Sequence, residues 1–399
     1  MIPSSLVAPA WRLYAAYRRW VGRDRVLLWP PFDDADALAD IFNRLAHNYG
    51  PETEIAIPIA REGLRPAEKI PDYMPRYEQR FRARWVEVEG GTRDPRPELE
   101  ALRRRATLYW KAPADARERE RIRRIPNCAI VDPNECEEET AAIGWIEVMS
   151  RPRDARAERR RFVEWMRARP KRRRAYLLCT GPSLARFAEF DFSDGWTIGC
   201  NTVVANAPLM AHAPPDVMVA VDAIHHFGPS NYAARFRRDL EAAAARSPFL
   251  FCTVDTFGHV VERRMKLPPE RVCLIPLRRG MKFERLDRQW GVAPTANVLT
   301  QLMLPIAHTL AEEIYIIGAD GRDPNEREFW RHDPSSQLTD AMADLKACHP
   351  AFFAKRDYAA YYERHCEIVR LQVETIEARG GKVRSLTPSH IPALAERSA

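Results

Sequence analysis

Several apolar runs in this chain end in residues suited to binding rather than packing. Tyr176 to Thr180 is followed by Gly181, Pro182 and Ser183. Glycine lets the backbone turn tightly and approach a ligand closely. Proline suits a first helical position, where its missing N–H would have been an orphan donor. A helix beginning there offers free amides and a positive dipole end, which is the chemistry of a phosphate site, and Ser183 adds a hydroxyl. Thr180 leads into this turn. Thr197 to Asn201 ends in Asn201, which can both donate and accept, as reading a base edge or a ribose requires. Val217 to Val221 leads to Asp222, which would accept from a sugar hydroxyl or hold a metal. Glu313 to Gly318 ends in Gly318 and then Asp320, another close-approach glycine beside a carboxylate. Thr295, within Gly291 to Asn297, is placed to cap an apolar helix. The plainer reading is that each is an ordinary βα turn or a turn cap. It is their convergence on one rim that makes them a candidate site.

A proton acceptor is the other need of transfer chemistry, and histidine titrates nearest neutrality. Among the ten histidines, His332 lies in the polar run Phe329 to Asp333, twelve residues after Asp320, where the chain would fold over the rim. His365 lies on a long C-terminal helix near Tyr361 and Tyr362. Arg322 and Tyr362 are candidates for holding a phosphate. His225 and His226 follow Asp222, but adjacent histidines are not a typical zinc spacing. No G-x-S-x-G nucleophile elbow, no P-loop and no G-x-G-x-x-G string occurs, which argues against serine hydrolases, P-loop kinases and NAD enzymes.

The elements that must position these residues alternate between strand and helix. Expected strands in the C-terminal half are 176–180, 197–201, 217–221, 249–254, 271–275, 313–318 and 382–386. A helix over 358–378 ends at Gly380 and Gly381, a good C-cap signal. The N-terminal half repeats the pattern, with strands at 25–29, 54–59, 107–110 and 128–131 and helices at 34–46 and 115–124. Residues 61–96, with four prolines and many charges, read as a long loop. Alternation of this kind predicts parallel sheets covered by helices. The expected fold class is therefore α/β with two Rossmann-like domains: a small one over 24–150 and a larger one over 175–399. Residues 1–23 form an N-terminal segment whose stretch 5–23 is amphipathic. It suits a helix on an anionic membrane surface or one docked on its own domain.

The chain has 399 residues, 46% hydrophobic and 29% charged, the range of ordinary globular proteins. That excludes wholesale disorder and a fibrous chain. No apolar run approaches a membrane span, and no secretory leader is expected. Eight cysteines form no C-x-x-C pair, and Cys179, Cys200, Cys252 and Cys273 sit in apolar runs, as reduced core thiols of a cytoplasmic protein would. The net charge of +7 is uneven. Residues 151–174 hold twelve Arg or Lys against three acidic residues, so this expected linker helix carries +9 and the rest of the chain −2. A solvated interdomain helix explains that better than a nucleic-acid face, and no nucleic-acid partner is expected.

The string Leu178-Cys179-Thr180-Gly181-Pro182-Ser183-Leu184, followed by Ile198-Gly199-Cys200-Asn201 and by Ile314 through Asp320, resembles the bacterial lipooligosaccharide sialyltransferases and the related motility-associated flagellin glycosyltransferases. The resemblance covers roughly residues 175–393. It implies a single-sheet nucleotide-binding fold and a CMP-activated nonulosonate donor, or a Kdo-like one. It also implies a glycan or glycolipid acceptor, inversion at the anomeric carbon, and no required metal or other cofactor. By position, Gly181 and Ser183 would face the donor phosphate, Asn201 would contact the nucleotide, Thr295 would replace a family serine, and Gly318 with Asp320 would line the donor pocket. His365 falls close to the family base. Two departures stand out: Cys179-Thr180 replaces Gly-Asn, and Arg322 stands where a phosphate-binding tyrosine is expected. Peripheral contact with the inner membrane fits such acceptors. Two other classes remain open on the sequence, namely an ATP- and magnesium-dependent diphosphotransferase of the related pterin-kinase type, and a non-catalytic nucleotide- or nucleic-acid-binding module.

Overall fold

The computed structural model describes residues 25–78, 81–88, 106–125, 127–322, 334–355 and 357–398. The amphipathic stretch at 5–23 lies outside these residues. The protein is α/β with two all-parallel sheets, one in each of two compact units.

The first sheet comprises β1 (Arg25–Trp29), β2 (Glu54–Ile59), β3 (Arg82–Glu87), β4 (Ala106–Tyr109) and β5 (Cys128–Ile130), in the order β3-β2-β1-β4-β5. The helix Ala35–Asn48 is capped by Asp34, which accepts from the Asp36 amide at 3.0 Å. It turns Leu38, Ile41, Phe42 and Leu45 into the core with Val26, Leu28 and Ile57. One expectation fails here: β3 lies inside the stretch read as loop, and it pairs with β2 along its whole length. Its two-residue alternation is hidden because Arg82, Arg84 and Glu87 crowd an edge strand. Trp85 nevertheless lies parallel to Phe42, with centroids 6.1 Å apart.

This unit is completed by residues distant in sequence, Gly228–Asn231 and Ala343–Lys355. The Tyr77 hydroxyl donates to the Pro229 carbonyl at 2.8 Å, and the Ala351 amide to Pro133 at 3.0 Å. Arg44 is buried and gives one nitrogen to both Glu139 oxygens, at 3.1 and 3.2 Å, and another to the Cys348 carbonyl at 2.9 Å. A guanidinium can hold three such acceptors because its donors form a rigid fork.

The second unit holds β6 (Arg174–Leu178), β7 (Gly195–Cys200), β8 (Val217–Val219), β9 (Leu250–Val254), β10 (Val272–Ile275), β11 (Glu313–Ile317) and β12 (Lys382–Ser385). Their order is β10-β9-β8-β7-β6-β11-β12. The strands are near-continuous apolar runs, as strands covered on both faces must be. The basic segment does contain a helix, Ala155–Arg167, with Asp154 capping two amides. Phe162 is fully buried and Arg161 donates to the Val272 carbonyl at 2.9 Å, so this helix packs into the second unit. The helix Tyr358–Ala378 ends where Gly380 takes φ +85° and the Gly381 amide returns to Ile376 at 3.0 Å. Among the described residues, no helix is long and apolar enough to cross a membrane.

Candidate functional site

The chain starts the second sheet at β6 in its middle, walks out to β10, and returns to lay β11 on the other side of β6. The gap between β6 and β11 is therefore the topological switch point, where the connections leave in opposite directions and open a crevice beyond the strands' carboxyl ends.

The residues there are in tight contact. The Gly181 amide donates to the Gly318 carbonyl at 2.8 Å. A Cβ on Gly181 would stand 2.1 Å from Asp320 Oδ2, so only glycine leaves room for that carboxylate. Gly318 has φ +77°, and a Cβ there would stand 2.4 Å from the Cys179 carbonyl oxygen. Pro182 opens the 3-10 helix Pro182–Glu189 as its first residue, and Thr180 is buried beneath the turn.

The amide expected to face a phosphate is engaged within the chain. Ser183 N–H donates to both Asp320 oxygens, each at 3.2 Å, and the Ser183 hydroxyl pairs with that of Thr387 at 2.8 Å. Burial pushes the Asp320 carboxyl up despite these bonds, and the nearby His390 only partly offsets it. A carboxylate thus sits at the helix start, where negative charge is favoured.

The loop after β12 was not singled out in the sequence, yet it is bonded to the backbone that carries Asp320. The His390 amide donates to the Asp320 carbonyl at 2.6 Å, and the Ser389 hydroxyl to Ala319 at 2.7 Å. Tyr362, whose hydroxyl burial pushes up to about 12, donates to the His390 carbonyl at 3.1 Å. The His390 side chain is exposed beside Asp320. The signal was there, because Thr387-Pro388-Ser389-His390 follows a strand just as Gly181-Pro182-Ser183 does.

Asn201 follows β7, the strand next to β6. It holds φ +52°, and its Oδ1 is buried with no hydrogen-bond donor among the described residues. Both features cost free energy, and such costs gather at functional positions. Asp222 follows β8. Its Oδ1 accepts from the Ile224 and His225 amides at 2.8 and 2.9 Å and stands 3.1 Å from His225 Nδ1. Burial pushes this carboxyl up, but His225, His226 and the amide outweigh it and hold it well below the usual carboxylate range.

Thr295 does not cap the helix that follows. Gln301 reaches back to the Thr295 and Ala296 amides at 3.1 and 3.2 Å, and Asn297 caps Leu299 at 3.0 Å. Ala296 holds φ +58°, a π-helical turn follows over Leu299–Met303, and the Tyr361 hydroxyl donates to the Ala296 carbonyl. Strained backbone and π-turns both occur frequently at functional sites.

Of the two histidines singled out, His332 lies outside the described residues. His365 is 2% exposed, and burial pushes its pKa down to about 4, so it is neutral at pH 7 and shielded from solvent. Arg322 ends the described stretch that carries Asp320. Among the described residues, no three His, Cys, Asp or Glu side chains are grouped to hold a metal ion. No protein-family model, curated protein or solved structure matches the chain.

Proposed function

We propose that the second unit binds a CMP-activated acidic sugar, a nonulosonate or a Kdo-like one, and transfers it to a glycan or glycolipid hydroxyl with inversion. The observation that carries the reading is the crevice at the β6–β11 switch point, where Gly181 and Gly318 tolerate no side chain and Asp320 faces the gap. Packing alone does not require a part-exposed carboxylate between two glycines. The sugar-transfer class rests on the resemblance of the motifs at 178–184, 198–201 and 314–320.

In that reaction the acceptor oxygen attacks the anomeric carbon. The bond from that carbon to the phosphate oxygen breaks, and its electron pair leaves on CMP. The acceptor proton passes to a base, and an exposed imidazole at the rim suits that role because its ring nitrogen can accept a proton. His390 offers one beside Asp320. His332 remains a second candidate. The reading needs no metal. Contact with a membrane surface, through the amphipathic stretch at 5–23, would bring the enzyme to lipid-linked acceptors.

A thermal-shift series tests the reading. CMP without metal should stabilise the protein, by about 2.7 kcal/mol at a hundred times its dissociation constant. Stabilisation by ATP only with magnesium would instead favour diphosphoryl transfer. Binding of nucleic acid alone, with steep salt dependence, would favour a binding module.

A further inference from the structure

The hydrogen bonds of the crevice bear on which end of a ligand enters it, and this inference rests on the nucleotide-binding reading above. A phosphate on the start of the Pro182–Glu189 helix needs the free Ser183 amide, and that amide is given to Asp320. The Leu184 amide is likewise spent, on the Gly181 carbonyl at 3.0 Å. A phosphate brought there would also meet the carboxylate itself, and like charges at that range repel strongly.

The Asp320 carboxylate itself keeps acceptor capacity. Asp320 is part-exposed, and a carboxylate has about four lone-pair positions, of which Ser183 and the Asp320 amide use only part. A carboxylate with acceptor capacity left over calls for a ligand that offers donors and no negative charge at that end. Vicinal hydroxyls fit, because two neighbouring O–H groups can meet the two oxygens of one carboxylate, and carboxylates hold ribose in this way in other doubly wound sheets.

We propose that Asp320 binds the ribose hydroxyls of the nucleotide in the β6–β11 crevice, so that the phosphate lies away from the Gly181–Ser183 turn. The glycines then serve to seat the carboxylate, not to admit an anion.

The test measures binding of cytidine, 2′-deoxycytidine, CMP, adenosine and inorganic pyrophosphate by calorimetry, to the full chain and to Asp320→Ala. Cytidine should bind within about tenfold of CMP, and loss of the 2′-hydroxyl should weaken binding about tenfold or more, the effect of one hydrogen bond to a charged group. In Asp320→Ala that ribose discrimination should vanish, which separates direct contact from general damage to the fold. Asp320→Asn, which keeps the shape and one acceptor, should retain part of it.

Three outcomes overturn something. If CMP binds but the 2′-hydroxyl matters equally with and without Asp320, the inference fails while the CMP reading stands. If adenosine binds in place of cytidine with the same dependence on Asp320, the inference stands and the CMP reading fails. If pyrophosphate binds and no nucleoside does, the crevice is a phosphate site and the inference fails outright.

Discussion

Each sheet has its own switch point, and the two are built in opposite ways. In the first sheet the chain begins at β1, walks to β3, and returns to place β4 beside β1. The gap between β1 and β4 is thus the topological counterpart of that between β6 and β11. Trp29 and Tyr109 face each other at its lip, Phe32 stacks on Trp110 with centroids 3.8 Å apart, and the Trp110 indole donates to the Pro30 carbonyl. Phe32, Trp29 and Tyr109 are buried. The second gap carries glycines, a serine, a threonine and a carboxylate. Topology alone therefore does not make a site. It makes a place for one, which aromatic side chains can close and small polar residues can leave open.

The largest expected effect tests the closed gap. Phe32→Ala removes a fully buried ring from the stack and should cost about 4 kcal/mol in urea unfolding, read by tryptophan fluorescence. Nucleotide affinity of the remaining folded protein should not change. A variant with ordinary stability but altered affinity would mean that the first gap is a ligand site too.

Next comes the open gap. Gly318→Ala combines a left-handed backbone with a Cβ 2.4 Å from a carbonyl oxygen. It should cost roughly 3 kcal/mol and weaken nucleotide binding together with stability. Gly280→Ala is the control, since it shares a positive φ of +79° but meets nothing within 4 Å, and it should cost only about 1 kcal/mol. Equal effects at both positions would show that conformation, and not the close approach at the crevice, explains the glycine at 318.

Much of this contrast can be traced to the sequence, and the rest shows where local pattern loses information. All seven strands expected in the C-terminal half are present as a parallel sheet, because apolar runs such as Leu177-Leu178 and Ile314 to Ile317 are bounded by turn residues. The strand β3 was obscured because an edge strand need bury only one face, and its charges masked Ala83 and Trp85. That Arg44 would meet Glu139 and the Cys348 carbonyl was beyond any local pattern, since those partners are separated by 95 and 304 positions. In the crevice, Gly181, Ser183, Gly318 and Asp320 were legible one by one from their places after strands. Their mutual bonding was not, and it engages the Ser183 amide within the chain. His365 looked available because a helical histidine near tyrosines gives no sign in the sequence of facing the core.

The two smallest effects separate the crevice from the core behind it, because their pH dependences have opposite signs. His365 has a folded pKa near 4, against about 6.5 in an unfolded chain. Its contribution is complete above the unfolded value and is lost as the pH falls toward 4. Between pH 7 and 4.5 that loss should be about 2 kcal/mol, and His365→Gln should remove it from guanidinium unfolding curves. Asp320 is shifted the other way, up from the carboxylate value by burial. The folded state then holds the proton more tightly than the unfolded chain, so stability declines as the pH rises through the window above the unfolded aspartate value. Asp320→Asn should remove this decline, giving a gain of less than about 1 kcal/mol at pH 7 and none at pH 3, because the carboxylate is part-exposed. If the same substitution lowers stability at pH 7, the carboxylate is a structural member of its turn, and the open gap would differ from the closed one only in how it is filled.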